Sequence, residues 1–202
     1  MSCLHIKLPL LRWATGVASL AMLVSSVLLV PSADADEEIA PVFTVVSAQS
    51  HIEDEVVRLD AVFDLGFSEK LVEALHKGVS LTLLIEIEVL RERNYWVSES
   101  IAEIEQRFQL SFNPLTGRYL YYNINSDARF QLPSFDAAKA VLSHLNNFPL
   151  LDDALLEKEK RYWARMRIKM DSDTFPVPLR LMTYVTSDLD LESEWYEWPL
   201  LP

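Results

Sequence analysis

The residues with the clearest chemical potential are scattered histidines and a run of alternating acids near the C-terminus. The histidines beyond the first 35 residues do not have metal-ligand spacing; they are His51, His76 and His144. The acids of "DLDLESE", residues 188–194, suggest calcium, but an EF-hand loop needs Gly at its sixth position and Glu at its twelfth. Counted from Asp188, those positions hold Ser193 and Pro199. The sequence therefore predicts no metal site and no cofactor.

Motifs for nucleophilic catalysis and phosphate binding do not occur. The chain has no G-x-S-x-G, and beyond residue 35 its only glycines are Gly66, Gly78 and Gly117, too dispersed to form a phosphate-binding loop. Two facing carboxylates could cleave a glycosidic bond, but their separation in space decides that chemistry, and a sequence does not give it. The sequence predicts no catalytic residue and favours a protein that is not an enzyme, with a carboxylate-dependent hydrolase as the enzymatic alternative.

A cationic row lies on one face of the predicted strand "KRYWARMRIKM". Strict alternation places Tyr162, Ala164, Met166, Ile168 and Met170 inward, and the outward residues are Arg161, Trp163, Arg165, Arg167 and Lys169. One interpretation is cross-strand pairing with acids such as Glu86 and Glu88, with Trp163 covered by arginine. The other is a docking face for an anionic partner.

Aromatic residues are the second candidate binding feature. They concentrate in "NYW" at 94–96, "YLYY" at 119–122, Trp163, and a terminal "WYEW" that contributes Trp195, Tyr196 and Trp198 as candidates. Exposed rings on a sheet could stack on sugars or anchor a protein interface. Equally, these rings could fill a core and cover sheet edges.

The elements that must position these residues are mostly strands. Period-two alternation predicts strands at 42–49 and 55–65 joined near "HIEDE", then at 79–90, 107–112, 118–124, 129–132, 160–170 and 192–200. The stretch "SESIAEIEQR" fits either a helix or a strand, and "FPLLDD" is interpreted as a loop.

Two short helices interrupt the strands. They are predicted after the N-caps Ser68 and Ser134, with a C-terminal cap at Gly78 for the first and with Val141 on the apolar face of the second. The order predicts a mainly β or α+β domain. We expect an antiparallel β-sandwich-like fold of about seven or eight strands with two helices in the connections. A single sheet with both helices on one face is the alternative.

The first 35 residues have the pattern of a secretory signal. Lys7 and Arg12 precede an apolar run from Ala14 to Val30, and Ala33-Asp34-Ala35 fits the A-x-A cleavage pattern. Cleavage is predicted after Ala35. The alternative is an uncleaved anchor, because a run of about 17–18 residues is at the lower limit for a membrane span. We expect the rest of the chain in the periplasm, either free or anchored to the inner membrane.

Beyond the signal, a short acidic lead-in at 36–42, predicted to be flexible, precedes a single globular domain at 43–202. The 167 residues from 36 onward suit one domain with a sizeable core, and the single cysteine, Cys3, lies in the signal. The whole chain has a formal charge of −12, and residues 36–202, with 16 basic and 29 acidic side chains, have −13. Such a charge argues against nucleic-acid partners.

Several long segments resemble a known family. "GVSLTLLIEIEVLRERNYW", "LSFNPLTGRYLYY", "SFDAAKAVLSHLNNFPLLD" and "MDSDTFPVPLRLMTYVTSDLDLESEWYEWPL" come in the order seen in an uncharacterised family of exported proteobacterial proteins, the domain-of-unknown-function family 4390. The resemblance covers nearly the whole chain beyond the signal and supplies no catalytic residues. Genes of such proteins often lie beside those of a membrane sensor histidine kinase and its response regulator, which implies an envelope partner.

These observations predict an exported, non-catalytic protein that binds another envelope protein, with the sensor region of a membrane histidine kinase as the most specific candidate. The weak candidate binding residues are the cationic row from Arg161 to Lys169 and the terminal aromatics. A periplasmic module that binds glycan or lipid is the alternative, because the aromatics also suit that role.

Overall fold

The computed structural model describes residues 42–93, 98–178, 180 and 191–200. The predicted signal, most of the acidic lead-in, the "NYW" motif, and Asp188 and Asp190 lie outside these residues. A division of the chain falls after Glu38, so all the described residues belong to the unit Ile39–Pro202.

Nine strands and two α-helices make up the described part of the chain. In order they are β1 Phe43–Glu53, β2 Val56–Leu65, α1 Glu69–His76, β3 Leu81–Arg91, β4 Glu99–Asn113, β5 Arg118–Asn123, β6 Arg129–Leu132, α2 Phe135–Leu142, β7 His144–Asp152, β8 Tyr162–Met170 and β9 Tyr196–Leu200. Short 3-10 turns follow β7 at Asp153–Leu155 and β8 at Ser172–Thr174.

The strands form two antiparallel sheets. The smaller has the order β1-β2-β7 and the larger the order β6-β5-β4-β3-β8-β9. This confirms the predicted antiparallel β fold with helices in the connections, and the single-sheet alternative is wrong. The residues that the two sheets bury form one core cluster, so the apolar faces of both sheets share a single interior.

Alternation decides which face each strand buries. On β2 the inward residues Val57, Leu59, Ala61, Phe63 and Leu65 are at most 3% exposed, and on β8 the inward residues from Tyr162 to Met170 are at most 2% exposed. Each was predicted from the period-two pattern. Because every second side chain points to the same side of a strand, the intervening residues of β8 must lie on the opposite face of the larger sheet.

The local signals for the turns and helix caps are also confirmed. Ser68 and Ser134 accept hydrogen bonds from the backbone N–H groups of Leu71 and Ala137 and so begin α1 and α2. Gly78 follows α1 with φ of 91°, a left-handed conformation that glycine adopts without a Cβ clash.

The structure decides one segment that the sequence left open and corrects another. "SESIAEIEQR", which fits either a helix or a strand, is a strand from Glu99 onward in the 15-residue β4, whereas residues 148–152 of "FPLLDD", expected to be a loop, belong to β7. Strand β7 is at an edge of the smaller sheet and its register shifts twice against β2, so Pro149 fits without interrupting a central ladder. This strand brings the number above the seven or eight expected.

The burial of two side chains also differs from what the sequence pattern predicts. Val141, expected on the inward face of α2, is 39% exposed, whereas Thr82 is fully buried although strand alternation places it on the face of β3 opposite the core residues Leu81 and Leu83. The residue after β8 continues the ladder there, because the backbone N–H of Asp171 donates to the Thr82 carbonyl oxygen at 2.7 Å.

Candidate functional site on the outer face of the larger sheet

The candidate site is the outer face of the larger sheet, meaning the face that turns away from the core. The predicted cationic row projects there from β8, between β3 on one side and β9 on the other. Register aligns the four residues of the row that lie within β8 with neighbours across the sheet. On β3 the pairs are Leu90 with Trp163, Glu88 with Arg165, Glu86 with Arg167 and Leu84 with Lys169. On β9 they are Pro199 with Trp163 and Glu197 with Arg165.

Acidic side chains on β3 and just after it pair with the first two arginines of the row. The Arg165 guanidinium lies 2.7 Å from the Glu88 carboxylate, and the Arg161 guanidinium lies 2.8 Å from that of Glu92. The Arg165 pair is about one-third exposed, whereas the Arg161 side chain is 76% exposed. Cross-strand pairing, one of the two interpretations of this row, is therefore the arrangement that the structure contains.

Glu86 is the centre of the most enclosed ion pairs on this face. The Lys169 ammonium lies 2.8 Å from its carboxylate, Arg167 donates to it as well, and Arg167 also pairs with Glu192. Partial burial of Glu86 favours its neutral form, but the hydrogen bonds from Lys169 and Arg167 outweigh that effect and lower the pKa of the carboxyl below its ordinary value.

Trp195 contacts two cations. The guanidinium carbons of Arg165 and Arg167 are each 4.6 Å from the centroid of its ring, within the range of cation–π attraction. The sequence pattern suggested arginine packing for Trp163, and the structure places it at Trp195 instead. Trp195 is half-buried, so its ring and the two ion pairs support one another.

The other terminal aromatics are not equally accessible. Trp198 is 4% exposed and its indole N–H donates to Ser50 Oγ on β1 at 2.8 Å. Tyr196 is half-buried, with its ring centroid 6.4 Å from that of Trp198. These two residues lie on the core side of β9, so they do not join the cationic row on the outer face.

A short apolar row crosses the outer face where the ion pairs leave a gap. Leu90, Trp163 and Pro199 are direct register partners on β3, β8 and β9. Trp163 is 44% exposed, Pro199 is exposed and Leu90 is half-buried. We call these three residues the Trp163 row; the Arg161 and Arg165 ion pairs lie on either side of it.

Only one member of the Trp163 row was a sequence-based candidate. Leu90 and Pro199 were missed because neither residue type indicates a surface site, and their alignment with Trp163 depends on the register of three strands. One signal in the sequence could have indicated Leu90 as a surface residue. Alternation places it on the solvent-facing side of a strand whose other side is fully apolar.

The histidines lie apart. His51 is 3.3 Å from Asp60, His76 Nε2 is 2.6 Å from the Tyr119 hydroxyl, and His144 Nδ1 is 3.0 Å from the Ala140 carbonyl oxygen. Within the described residues, no three His, Cys, Asp or Glu side chains are grouped as metal ligands would be, and no helix there is long and apolar enough to span a membrane.

The fold and the site therefore define a two-sheet antiparallel β domain. Its larger sheet has a charged outer face with an exposed aromatic side chain at one end. The chain belongs to the family described as "Domain of unknown function (DUF4390)", whose model matches residues 40–199. This confirms the resemblance found in the sequence. No curated protein and no solved structure matches the chain.

Proposed function

We propose that this chain is an exported envelope protein that binds another envelope protein, and that the Trp163 row is the centre of the docking surface. The candidate partner is the sensor region of a membrane histidine kinase. Two sequence features support this proposal: the secretory pattern of the first 35 residues, and the gene neighbourhood that the family resemblance implies.

The single structural observation that carries the proposal is the exposed indole of Trp163. A large ring flanked by smaller apolar side chains and bordered by charged groups has the arrangement of a binding hot spot, in which an aromatic anchor is surrounded by a polar rim. Trp163 also lies on an inner strand, with β3 on one side and the edge strand β9 on the other, so its backbone is already ordered before a partner binds.

The ion pairs change the expected chemistry of the partner. Glu86 and Glu88 already pair with cations of β8, and Glu92 pairs with Arg161 just before it, so a purely anionic partner would meet both signs of charge. The surface instead suits a partner with an apolar pocket for the indole and polar groups around that pocket. Electrostatic pairs at such a rim contribute to orientation and specificity more than to affinity.

The alternative role is a periplasmic module that binds glycan or lipid, and its glycan form has less support. Stacking on sugar needs free ring faces. The guanidinium groups of Arg165 and Arg167 lie near the Trp195 ring, and Trp198 is buried. Of the three tryptophans among the candidates, Trp163 is the most exposed, at 44%.

The test is recovery of partners from crosslinked envelopes of the native host by the tagged full chain and by its Trp163→Ala variant. The control is Phe130→Ala, because Phe130 is a similarly exposed aromatic (53%) at the opposite edge of the same sheet. We expect Trp163→Ala to reduce recovery of the partner at least about tenfold, and Phe130→Ala to leave it unchanged.

Mass spectrometry of the recovered proteins identifies the partner. A membrane histidine kinase that is lost with Trp163→Ala supports the full proposal, whereas another envelope protein lost in the same way supports the docking surface and replaces the candidate partner. Equal recovery by Trp163→Ala and the unmodified chain contradicts the docking surface. Recovery of the chain alone contradicts the binding role.

A further inference from the structure

A second surface feature lies at the end of the larger sheet that is remote from the Trp163 row. The turn between β4 and β5 and the adjoining ends of β4, β5 and β6 enclose a cleft of about 290 Å³. Register separates the two features: β4 pairs with β3 from Ser100 opposite Leu90, at the Trp163 end, to Leu110 opposite Leu81, at the cleft end. We call this feature the hairpin cleft.

The polar side chains of the hairpin cleft can all donate hydrogen bonds. Apart from Tyr119, whose hydroxyl is already hydrogen-bonded to His76 Nε2 at 2.6 Å, they belong to Ser111, Asn113, Thr116, Arg118 and Gln131. Asn113 already uses its side-chain oxygen to accept the backbone N–H of Leu115 at 3.0 Å, which leaves its amide NH₂ as the available group. One guanidinium, two amides and two hydroxyls are thus gathered on a small surface.

The charge of the hairpin cleft is opposite to that of the molecule. None of the nine residues that line the cleft is Asp or Glu, although the whole chain has a formal charge of −12. Arg118 makes no ion pair within the described part of the chain, unlike Arg129 on the neighbouring strand, which lies 2.8 Å from Asp127. Arg118 therefore keeps its full charge for a ligand.

Apolar side chains complete the lining. Leu120 lies between Ser111 and Gln131 in the register of β4, β5 and β6, and Pro114 is in the turn. At about 30 Å³ per water in the liquid, the space corresponds to roughly ten water molecules. The cleft is thus large enough for a charged head and a short tail, and too small for a folded partner.

We propose that the hairpin cleft binds a small amphiphilic anion, with a carboxylate or phosphate head on Arg118 and a short apolar tail along Leu120 and Pro114. Arginine suits either head, because its planar fork donates two parallel hydrogen bonds to a carboxylate or phosphate. The negative charge of the rest of the chain does not prevent binding at physiological ionic strength, since charges more than about 8 Å away are largely screened.

The experiment is a titration of the isotopically labelled full chain, followed by backbone amide NMR shifts. The probes are octanoate and octyl phosphate, with acetate as the head without a tail and octanol as the tail without a charge. We expect saturable shifts centred on residues 111–120 and 131 with octanoate, octyl phosphate or both. The stronger of the two identifies the head group.

Two arginine variants test the residue assignment. Arg118→Gln should weaken binding about tenfold or more, since it removes charge-assisted hydrogen bonds. Arg129→Gln is the matched control, because it removes an exposed arginine from the same face of the next strand, and it should leave binding unchanged. Far-UV circular dichroism and thermal melting of both variants check that each remains folded.

Three outcomes would overturn the assignment. These are the absence of saturable shifts with both anionic probes, equal binding of octanol and octanoate, and unchanged binding by a folded Arg118→Gln variant. The cleft does not depend on the docking surface: Trp163→Ala leaves the cleft residues intact, so each proposal can fail while the other stands.

Discussion

At the scale of single residues, Glu86 connects the ion pairs of the outer face. Its carboxylate accepts from Lys169 and Arg167, and its side chain is only 19% exposed. Such a group contributes more than a fully exposed ion pair does, because solvent screens it less. One of the two cation–π contacts of Trp195 is made by Arg167, so Glu86 also helps to position that ring.

Glu86→Gln should lower the free energy of unfolding by about 1–2 kcal/mol at pH 7, since it removes charge-assisted hydrogen bonds from two partly buried cations. The pKa of Glu86 is lowered in the folded state, so its stabilisation is fully present above the unfolded pKa and is lost as the pH falls through the folded pKa. The difference between the variant and the parent should therefore shrink below about pH 4.5.

Urea denaturation at pH 7 and pH 3.5 measures this difference. The control is Glu103→Gln, because Glu103 lies on the same face and is exposed, and its carboxylate accepts only from the Ser100 hydroxyl among the described residues. Its effect should stay within about 0.5 kcal/mol at both pH values. An equal loss of stability for Glu86→Gln at both pH values would contradict the electrostatic explanation.

At the scale of elements, the β1–β2 hairpin has a turn whose conformation and residues disagree. Asp54 and Glu55 both have positive φ, 51° and 62°, as a two-residue type I′ turn requires. The sequence located the turn near "HIEDE", and Asp54 suits its first position, but Glu55 does not suit the second, where glycine is the usual residue. The pairing of the long flanking strands imposes it instead.

Glu55→Gly should raise the free energy of unfolding by about 0.5–1 kcal/mol, because glycine adopts positive φ without the cost that an L side chain meets. The control is Glu53→Gly within β1, which should lower stability because it adds flexibility to a strand and removes the ion pair of Glu53 with Arg58. Thermal melting of both variants measures the change. A fall in the melting temperature of Glu55→Gly would contradict the strain assigned to the turn.

Strands β4 and β7 show where local pattern is insufficient. The start of β4 has acids and apolar residues at spacings that fit either period, and its pairing with β3 over eleven positions selects the strand. Strand β7 contains Pro149 and a positive φ at Asn147, both typical of loops. It becomes a strand because it pairs with β2, which is distant in sequence.

At the scale of the whole molecule, Trp198 joins the two sheets. It belongs to β9 of the larger sheet, and its indole N–H donates to Ser50 on β1 of the smaller sheet. Its ring is also 4% exposed and part of the shared core. The last strand described therefore closes the interior as well as extending the sheet.

Trp198→Ala should lower the free energy of unfolding by about 3–5 kcal/mol, the usual cost of removing a large buried aromatic. Trp163→Ala should change it by no more than about 0.5 kcal/mol, because its ring is half exposed and away from the core. Chemical denaturation measures both. A large loss for Trp163→Ala would mean that this ring stabilises the fold, and the partner-recovery experiment would then need a milder variant such as Trp163→Tyr.

The sequence by itself determined the faces of the strands, the two helices with their serine caps, and the family. These features depend on periods of a few residues and on side chains that interact with their own backbone, so they are local. It also supplied the secretory pattern and the charge, which are properties of composition and order along the chain.

The tertiary structure alone decided which side chains meet. It paired the cations of β8 with Glu86 and Glu88, placed Trp195 rather than Trp163 against two arginines, aligned Leu90 with Pro199 across Trp163, and gathered the donors of the hairpin cleft. The physical reason is register. A shift of one residue between paired strands moves every side chain to the other face, and the packing of the whole core fixes that register.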